Sequence, residues 1–199
     1  MCNFIPNVAS KVQMENLNDT TVIENVLGGN TEAFGVLVGR YSDVVFSLVV
    51  RICGNREDAE EVTQDAFVKA YSNLSKFKGE SSFPSWIYRI AYNTAISHLR
   101  KHKHMQMSEL HDERLRAREE EEDGPDEFDA GSFSREEQLE RLENAMAQLP
   151  PDDRALLVLF YLEDKPIREI AEIVSQTEGN VKIRLHRIRK RLAAVYEKL

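Results

Sequence analysis

The chain has 199 residues, of which 42% are hydrophobic and 30% charged, and its formal net charge is −8. This length suits one large domain or two small ones, and the composition is that of a globular protein. No uninterrupted apolar run approaches the roughly 20 residues of a membrane span, and the N-terminus has no basic start followed by an apolar stretch, so we expect neither membrane insertion nor a signal peptide. The two cysteines, Cys2 and Cys53, are then expected to stay reduced, as in a cytoplasmic protein.

Helical periodicity runs through the first half of the chain. Apolar spacing predicts a helix over residues 15–27, which Gly28-Gly29-Asn30 ends, and a buried helix over 33–52, which Gly54-Asn55 ends. An amphipathic helix is predicted over 58–74, with acids in its first half, where the helix dipole favours them. Residues 76–82 predict a loop, and Pro84 fits the first turn of a helix over 83–101.

This last helix carries an unusual combination of side chains on one face. At about 100° per residue the face groups Trp86, Arg89, Asn93, Ser97 and Arg100. An aromatic ring, two cations and two short polar side chains suit a nucleic-acid strand, with bases to stack and phosphates to neutralise. Trp86 could equally be a core residue, since large aromatic side chains usually bury.

The second half begins after an acidic stretch. Residues 105–133 contain EEEEDGPDEFDAGS and few large apolar groups, which predicts a flexible linker. Ser134 and Glu137 predict a capping box at the start of the next helix, and Pro150-Pro151 ends that helix. The apolar run 156–162 alone could be a strand, but its length and its helical neighbours favour helix.

The C-terminal segment PIREIAEIVSQTEGNVKIRLHRIRKRL predicts two helices joined by a short turn, with Thr177 as an N-cap of the second. On the second helix Val181, Leu185, Ile188 and Leu192 form one narrow apolar stripe. The flanks carry polar and basic side chains: Asn180, Lys182, Arg184, His186, Arg187, Arg189 and Arg191. A helix seated by one stripe, with cations over the rest of its surface, suits a groove lined by phosphates.

Charge is distributed unevenly along the chain. Residues 76–104 hold six cations against one acid, and residues 165–199 hold nine cations against four acids. The stretch between them, residues 109–143, holds fifteen acids and five arginines. Two basic modules therefore flank an acidic connector, and the field of each module matters more for binding than the net charge.

Nothing in the sequence predicts catalysis or a cofactor. There is no glycine-rich phosphate loop and no nucleophile with a matching base. His98, His102 and His104 are spaced for a metal, but no cysteine or acid completes a site within that helix, so we expect no metal.

Two segments resemble one protein family. DAEEVTQDAFVKAYSNLSKFKGESSFPSWIYRIAYNTAISHLRKHK, residues 58–103, closely resembles domain 2 of the extracytoplasmic-function (group 4) sigma factors. LPPDDRALLVLFYLEDKPIREIAEIVSQTEGNVKIRLHRIRKRL, residues 149–192, resembles their domain 4. The resemblance implies an all-α, non-enzymatic promoter-specificity subunit with a tail at 1–14, domain 2 at 15–104, a linker at 105–133 and domain 4 at 134–199.

The resemblance also implies partners and surfaces. Core RNA polymerase would be bound through the β′ clamp helices and the β flap, and many relatives are held inactive by an anti-sigma factor. The clamp-helix contact maps onto Asp58, Glu61, Gln64, Asp65 and Phe67. Without the resemblance, those acids would be an ordinary solvated helix face.

Promoter DNA is the other implied partner. The −10 element, with its flipped base and its melted strand, maps onto the loop and the helix after it: Lys76, Lys78, Ser81, Ser82, Phe83, Trp86, Arg89, Asn93, Ser97 and Arg100. The −35 element maps onto Asn180, Lys182, Ile183, Arg184, His186, Arg187 and Arg191, with Arg184 and Arg191 expected to hold phosphates. The turn before this helix departs from the family, which often has glycine and a bulky apolar residue where this chain has Ser175 and Gln176.

Two other functions stay open on the residues alone. A free-standing helix-turn-helix regulator would bind a palindromic operator without polymerase. A helical adaptor would use its basic faces on acidic proteins and would support no promoter-dependent transcription.

Overall fold

The computed structural model describes residues 17–107 and 134–199, with side chains for 17–101 and 134–199. Every regular element in those ranges is helical, which confirms the all-α prediction. The helices are α1 (Asp19–Leu27), α2 (Phe34–Cys53), α3 (Arg56–Ser72), α4 (Phe83–Met107), α5 (Arg135–Ala147), α6 (Pro151–Leu157), α7 (Ile167–Val174) and α8 (Glu178–Tyr196), with short 3-10 turns at Thr31–Ala33 and Leu74–Lys76.

Side-chain caps mark the starts of several helices. The capping box predicted at Ser134 is confirmed, because its side chain accepts from the Glu137 N–H while the Glu137 carboxylate accepts from the Ser134 N–H. Thr177 caps α8 as predicted. Asn55 accepts from the Asp58 N–H at 2.8 Å, so α3 begins two residues before the predicted start at residue 58.

Two other predicted boundaries differ from the structure. The first helix begins at Asp19, capped by Asn18, whereas the predicted start at residue 15 lies outside the described residues. The run 156–162 is helical, as favoured over strand, but it widens into a π turn at Val158–Leu162. The 1–14 tail, Cys2 and residues 108–133 also lie outside the described residues.

The long helix α2 forms the centre of the N-terminal unit, residues 17–107. With its preceding turn it spans Thr31–Cys53, and an 18-residue window within that span has a mean hydropathy of 1.6, so it is long and apolar enough to cross a membrane by length and composition. Core helices of soluble proteins pass the same test, and here Leu37, Leu48 and Ile52 are fully buried. α3 and α4 pack on α2 and on each other, and α1 covers one end.

A polar cluster holds α1 against α2. Arg40 Nη1 lies 2.8 Å from Asp19 Oδ1, and the Tyr41 hydroxyl donates to the other oxygen of the same carboxylate. Burial, and then this hydrogen bond, raise the pKa of Tyr41 to about 12.

The C-terminal unit, residues 134–199, packs α5, α6 and α7 around α8. The two units also contact each other, α4 against α7 and α2 against α6, and their buried side chains form one continuous apolar cluster. The predicted domain limits remain predictions.

Candidate nucleic-acid interface

The stripe predicted on α8 seats that helix in the C-terminal unit. Val181, Leu185 and Ile188 are buried, and Leu192 packs against the same core. The remaining surface of the helix is open: Asn180, Lys182, His186, Arg187 and Arg189 are exposed, and Ile183 is 54% exposed. α8 therefore presents polar and cationic groups around one free apolar side chain, which suits base edges and phosphates in a major groove.

Two arginines of α8 share one carboxylate. Arg184 Nη2 lies 2.7 Å from Asp153 Oδ1, and Arg191 Nη1 lies 3.1 Å from Asp153 Oδ2. Arg184 is half-buried, so in this arrangement its guanidinium braces α8 against α6. A phosphate contact by Arg184 or Arg191 stays a prediction. In such a contact the guanidinium group would be shared between the phosphate and Asp153.

The turn between α7 and α8 explains one departure from the family. Ser175 adopts a left-handed conformation with φ 55° and ψ 47°, and the Gln176 N–H closes the turn on the Ala171 carbonyl at 2.9 Å. Glycine takes this conformation without steric cost, whereas a side chain is strained in it. The turn forms with serine at the position where the family resemblance led us to expect glycine.

The predicted −10 loop borders a cleft of about 500 Å³. Lys76 and Lys78 are exposed, Arg89 is half-buried, and all three line the cleft with Ser81. Two acids, Glu80 and Glu172 of α7, line the cleft as well. The cleft combines cations and a hydroxyl with an aromatic floor, a combination that can hold a base and its phosphate.

Trp86 is not an exposed stacking platform. It is 8% exposed and packs at 5.1 Å on Phe77 and 5.8 Å on Phe83, measured between ring centroids. Phe83 is buried as well. Both side chains are closed to solvent in this conformation, as in the core alternative for Trp86, because Phe77 of the loop and Phe83 at the start of α4 pack against the indole. Contacts of Trp86 and Phe83 with DNA stay predictions.

The rest of the predicted α4 face is open. Asn93, Ser97 and Arg100 are exposed, as is Ser82 at the start of the helix. Arg100 Nη2 lies 3.7 Å from Asp152 Oδ2 of the C-terminal unit. The polar side chains of this face are therefore accessible to a partner, whereas Trp86 is buried.

The predicted polymerase-binding surface on α3 is partly exposed. Glu61, Gln64 and Asp65 point to solvent. Phe67 is 7% exposed and packs in the core, so its side chain is not open to a partner in this conformation, and its assignment as a contact stays a prediction. Asp58 is half-buried, with its carboxylate 2.7 Å from Asn55 Nδ2 and 3.1 Å from His98 Nε2, so it ties α3 to α4.

Sequence reasoning missed one residue on this face. Val68 is 63% exposed and follows Gln64 and Asp65 at helical spacing. The signal in the sequence is its spacing: Val68 falls on the helix side of Gln64 and Asp65 and away from the buried positions Val62 and Ala66.

Sequence reasoning also missed a row of hydroxyls on α4. Three side chains one helical turn apart donate to carboxylates of the C-terminal unit: Ser85 to Glu169 at 2.9 Å, Tyr88 to Glu163 at 3.0 Å and Tyr92 to Asp152 at 2.8 Å. We name these six residues the hydroxyl–carboxylate row. No local pattern could predict it, because its partners are 60 to 84 residues apart in the chain.

Of the three histidines spaced for a metal, only His98 has a described side chain, and it pairs with Asp58. Within the described residues, no group of three or more His, Cys, Asp and Glu side chains could hold a metal ion. His102 and His104 have side chains outside the described set.

Comparison with known proteins gives two family matches in the order that the sequence suggested. Sigma-70 region 2 matches residues 37–105, and Sigma-70 region 4 matches residues 139–192. The chain is 33% identical over 187 residues to the ECF RNA polymerase sigma-E factor of Haemophilus influenzae, covering 88% of this chain and 94% of the relative. The chain belongs to the ECF sigma factor family.

Other relatives agree with this assignment. The ECF RNA polymerase sigma factor SigW of Bacillus subtilis is 34% identical over 179 residues, covering 85% of this chain and 92% of the relative. The fold is also that of CnrH, solved in complex with the cytosolic domain of CnrY, with a TM-score of 0.61 at 24% identity over 90% of this chain and 97% of the other.

Membership decides between the functions that the residues left open. An ECF sigma factor directs RNA polymerase to specific promoters in transcription initiation, and it is not an enzyme. A match to both regions in one chain excludes the free-standing regulator and the adaptor, since neither would need region 2.

Proposed function

We propose that this ECF sigma factor divides promoter recognition among three of its surfaces. The exposed face of α8 reads the −35 element. The cleft at residues 76–89 and the open face of α4 hold the −10 element and its melted strand. The acidic face of α3 docks on the β′ clamp helices of core polymerase, and the chain works in the cytoplasm, where DNA and polymerase are.

One observation carries the −35 assignment. α8 is seated by a single buried stripe, and the helix-turn-helix leaves Lys182, His186 and Arg187 exposed at its N-terminal half. In helix-turn-helix proteins, residues near the start of the second helix approach the base edges. Each cation that meets a phosphate adds salt-dependent affinity, and a good bidentate base contact adds about 1–3 kcal/mol of discrimination.

The −10 assignment is supported by the chemistry of the cleft. Lys76, Lys78 and Arg89 supply three cations beside Ser81 and an aromatic floor. Asn93 on the next turn of α4 offers an amide that can donate to and accept from a base. Each element alone would bind weakly, and attachment to polymerase adds avidity.

The C-terminal unit supplies the proposed contact with the β flap. A groove of about 600 Å³ on this unit is mostly apolar, with Met146, Tyr161, Leu162 and Leu192 in its lining and basic side chains of α8 at its rim. An amphipathic partner segment with acidic flanks fits such a surface. An anti-sigma factor is the competing partner: the neighbouring structures of CnrH and of Bartonella quintana RpoE contain CnrY and the anti-sigma factor NepR.

Run-off transcription on fragmented genomic DNA of the source organism tests this division. Purified core polymerase with the wild-type chain is expected to start at a defined set of sites, mapped by sequencing the transcripts, and core polymerase alone is not. Lys182→Ala and Arg187→Ala are expected to lose transcription from those sites while retaining core binding. Loss of core binding in these variants, or unchanged start sites, would contradict the assignment of α8.

A further inference from the structure

One large apolar side chain of α8 lies outside the stripe that seats the helix. Ile183 is 54% exposed, whereas Val181, Leu185 and Ile188 are buried. At about 100° per residue, Ile183 lies on the opposite side of the helix from those three residues. It therefore points away from the core of its own unit, and its exposure follows from the way α8 is seated.

A single exposed apolar residue is ordinary on a protein surface, but the neighbours of Ile183 suit DNA. Lys182 precedes it, His186 and Arg187 follow it by one helical turn, and all three are exposed. When these side chains hold α8 against the phosphates of a major groove, Ile183 is turned toward the base edges on the floor of the groove. The apolar side chain is therefore placed where a base sequence is read.

The position one turn before Ile183 carries no side chain. Gly179 lies in the first turn of α8, and a Cβ added there would meet no atom of the described residues within 4 Å. Its φ is not in the left-handed range that favours glycine. Neither the backbone nor packing within the described chain therefore calls for glycine, and alanine would favour the helix. Because a helical side chain lies over the turn that precedes it, the bare backbone at Gly179 leaves a group from outside room to reach Ile183.

The chemistry of the major groove decides which base such a side chain prefers. The C5-methyl group of thymine is the apolar group that the groove presents, whereas the other base edges present hydrogen-bond donors and acceptors. Ile183 has no polar atom, so it would remove water from those donors and acceptors without replacing the hydrogen bonds. It therefore favours thymine through the contact with the methyl group and disfavours the other bases through their desolvation.

We propose that Ile183 and the bare backbone at Gly179 form a methyl-reading site, which takes the C5-methyl group of one thymine in the −35 element. This inference rests on the proposed function, because it needs α8 in the major groove of that element. It adds the identity of one base pair to that function: an A·T pair, on either strand, whose thymine methyl group faces α8.

Uracil in place of thymine tests the site, because uracil pairs with adenine as thymine does and lacks only the methyl group. The probes are duplexes of a promoter mapped by the run-off transcription above, each with one thymine of its −35 element replaced by uracil. Affinity is measured for the full chain assembled with core polymerase, at one fixed salt concentration. At one position the wild type is expected to bind the uracil duplex about fourfold more weakly than the thymine duplex, as for the loss of one buried methyl group.

Four variants assign the effect to the site. Ile183→Ala is expected to bind the two duplexes equally, whereas Ile183→Val keeps a branched apolar side chain and most of the discrimination. Leu139→Ala is the matched control, since Leu139 is 53% exposed on α5, and it is expected to keep the whole effect. Gly179→Ala is expected to lose discrimination, because its Cβ occupies the space of the methyl group, while its midpoint of urea unfolding stays the same or rises.

A −35 element without thymine would overturn the methyl-reading site, and so would uracil duplexes that all bind as tightly as the thymine duplex. Equal discrimination in Ile183→Ala and the wild type would overturn it too, by placing the methyl contact on another residue. Lys182→Ala separates these results from the proposed function. If Lys182→Ala weakens promoter binding and uracil does not, the methyl-reading site alone fails. If neither change has an effect, the assignment of α8 to the −35 element fails with it.

Discussion

Arg184 on α8 forms an ion pair with Asp153 on α6 at 2.7 Å, and both side chains are largely shielded from solvent. The pair links the helix proposed to read DNA with the helix that supports it. Arg191 reaches the other oxygen of the same carboxylate, so two arginines of α8 are tied to α6. The orientation of the exposed cations on α8 therefore depends on an arginine that faces the protein.

Arg184→Ala is expected to destabilise the chain by about 1–2 kcal/mol, because a shielded carboxylate loses a charged hydrogen-bond partner. Lys182→Ala, at an exposed position two residues earlier, is expected to change stability by less than about 0.5 kcal/mol. Urea unfolding followed by circular dichroism measures both values. Equal effects of the two variants would contradict the structural role of Arg184.

Ser175→Gly is expected to stabilise the chain by about 0.5–1 kcal/mol. Glycine removes the left-handed strain at φ 55°, and part of the gain is offset by the greater freedom of glycine in the unfolded chain. The midpoint of urea unfolding measures the change, with Ser175→Ala as the control that keeps a Cβ in the same conformation. If glycine stabilises no more than alanine, the left-handed turn is not a source of strain.

Asp65→Arg is expected to weaken association with core polymerase by tenfold or more, since it reverses a charge in the centre of the proposed docking face. Glu60→Arg is the control: it makes the same change on α3 about 140° around the helix, at about 100° per residue, and disturbs only an exposed pair with Arg56. Fluorescence anisotropy of the labelled chain with core polymerase measures affinity, and binding to promoter DNA by the full chain should be unchanged in both. A larger loss from Glu60→Arg would place the docking face elsewhere on α3.

Cys53 is expected to react slowly in the folded chain. Burial, and then the Asp58 carboxylate, raise the pKa of its thiol to about 11, against which the nearby Arg154 acts only partly. The thiolate fraction at pH 8 is then about 100-fold below that of a thiol with the ordinary value of 9.0. Absorbance with an aromatic disulfide reagent, on a Cys2→Ser background, should show labelling that becomes fast only in denaturant. Fast labelling in native buffer would mean that Cys53 is open to solvent.

The same group predicts loss of stability in alkali. The Cys53 thiol has a pKa of about 11 in the folded chain and 9.0 in the unfolded chain. Between these values the unfolded chain loses its proton first, so the free energy of unfolding is unaffected below pH 9 and falls as the pH rises toward 11. Tyr41, with a pKa raised to about 12, extends the loss above pH 10. Urea midpoints at pH 8 and pH 10.5 should therefore fall less for Cys53→Ala than for the wild type. An equal fall in both would assign the alkaline loss to other groups.

Local order was predictable from the sequence. The Ser134 capping box, the Thr177 cap and the stripe of Val181, Leu185 and Ile188 involve residues within one or two turns of each other. Helical periodicity and caps depend on residues that are close in the sequence, so they can be predicted without the tertiary structure. The exposed cations of α8 followed from the same stripe, since a helix seated on one side leaves the other side free.

Burial across elements was not predictable in the same way. The helical wheel placed Trp86 correctly around α4 but could not show that Phe77 and Phe83 fold over it. Phe67 shares α3 with the docking acids, yet its side chain points into the core. A wheel gives an angular position, whereas exposure depends on what the rest of the chain places there.

The sequence by itself determined that this chain is helical, that it has two basic modules, and that it resembles one family of promoter-recognition subunits, because periodicity, capping and motif order are all written within short windows. Only the tertiary structure decided which faces are open and that Tyr92 meets Asp152. Contacts between residues 60 or more positions apart depend on how the packed helices orient one another, and that orientation is a property of the whole core.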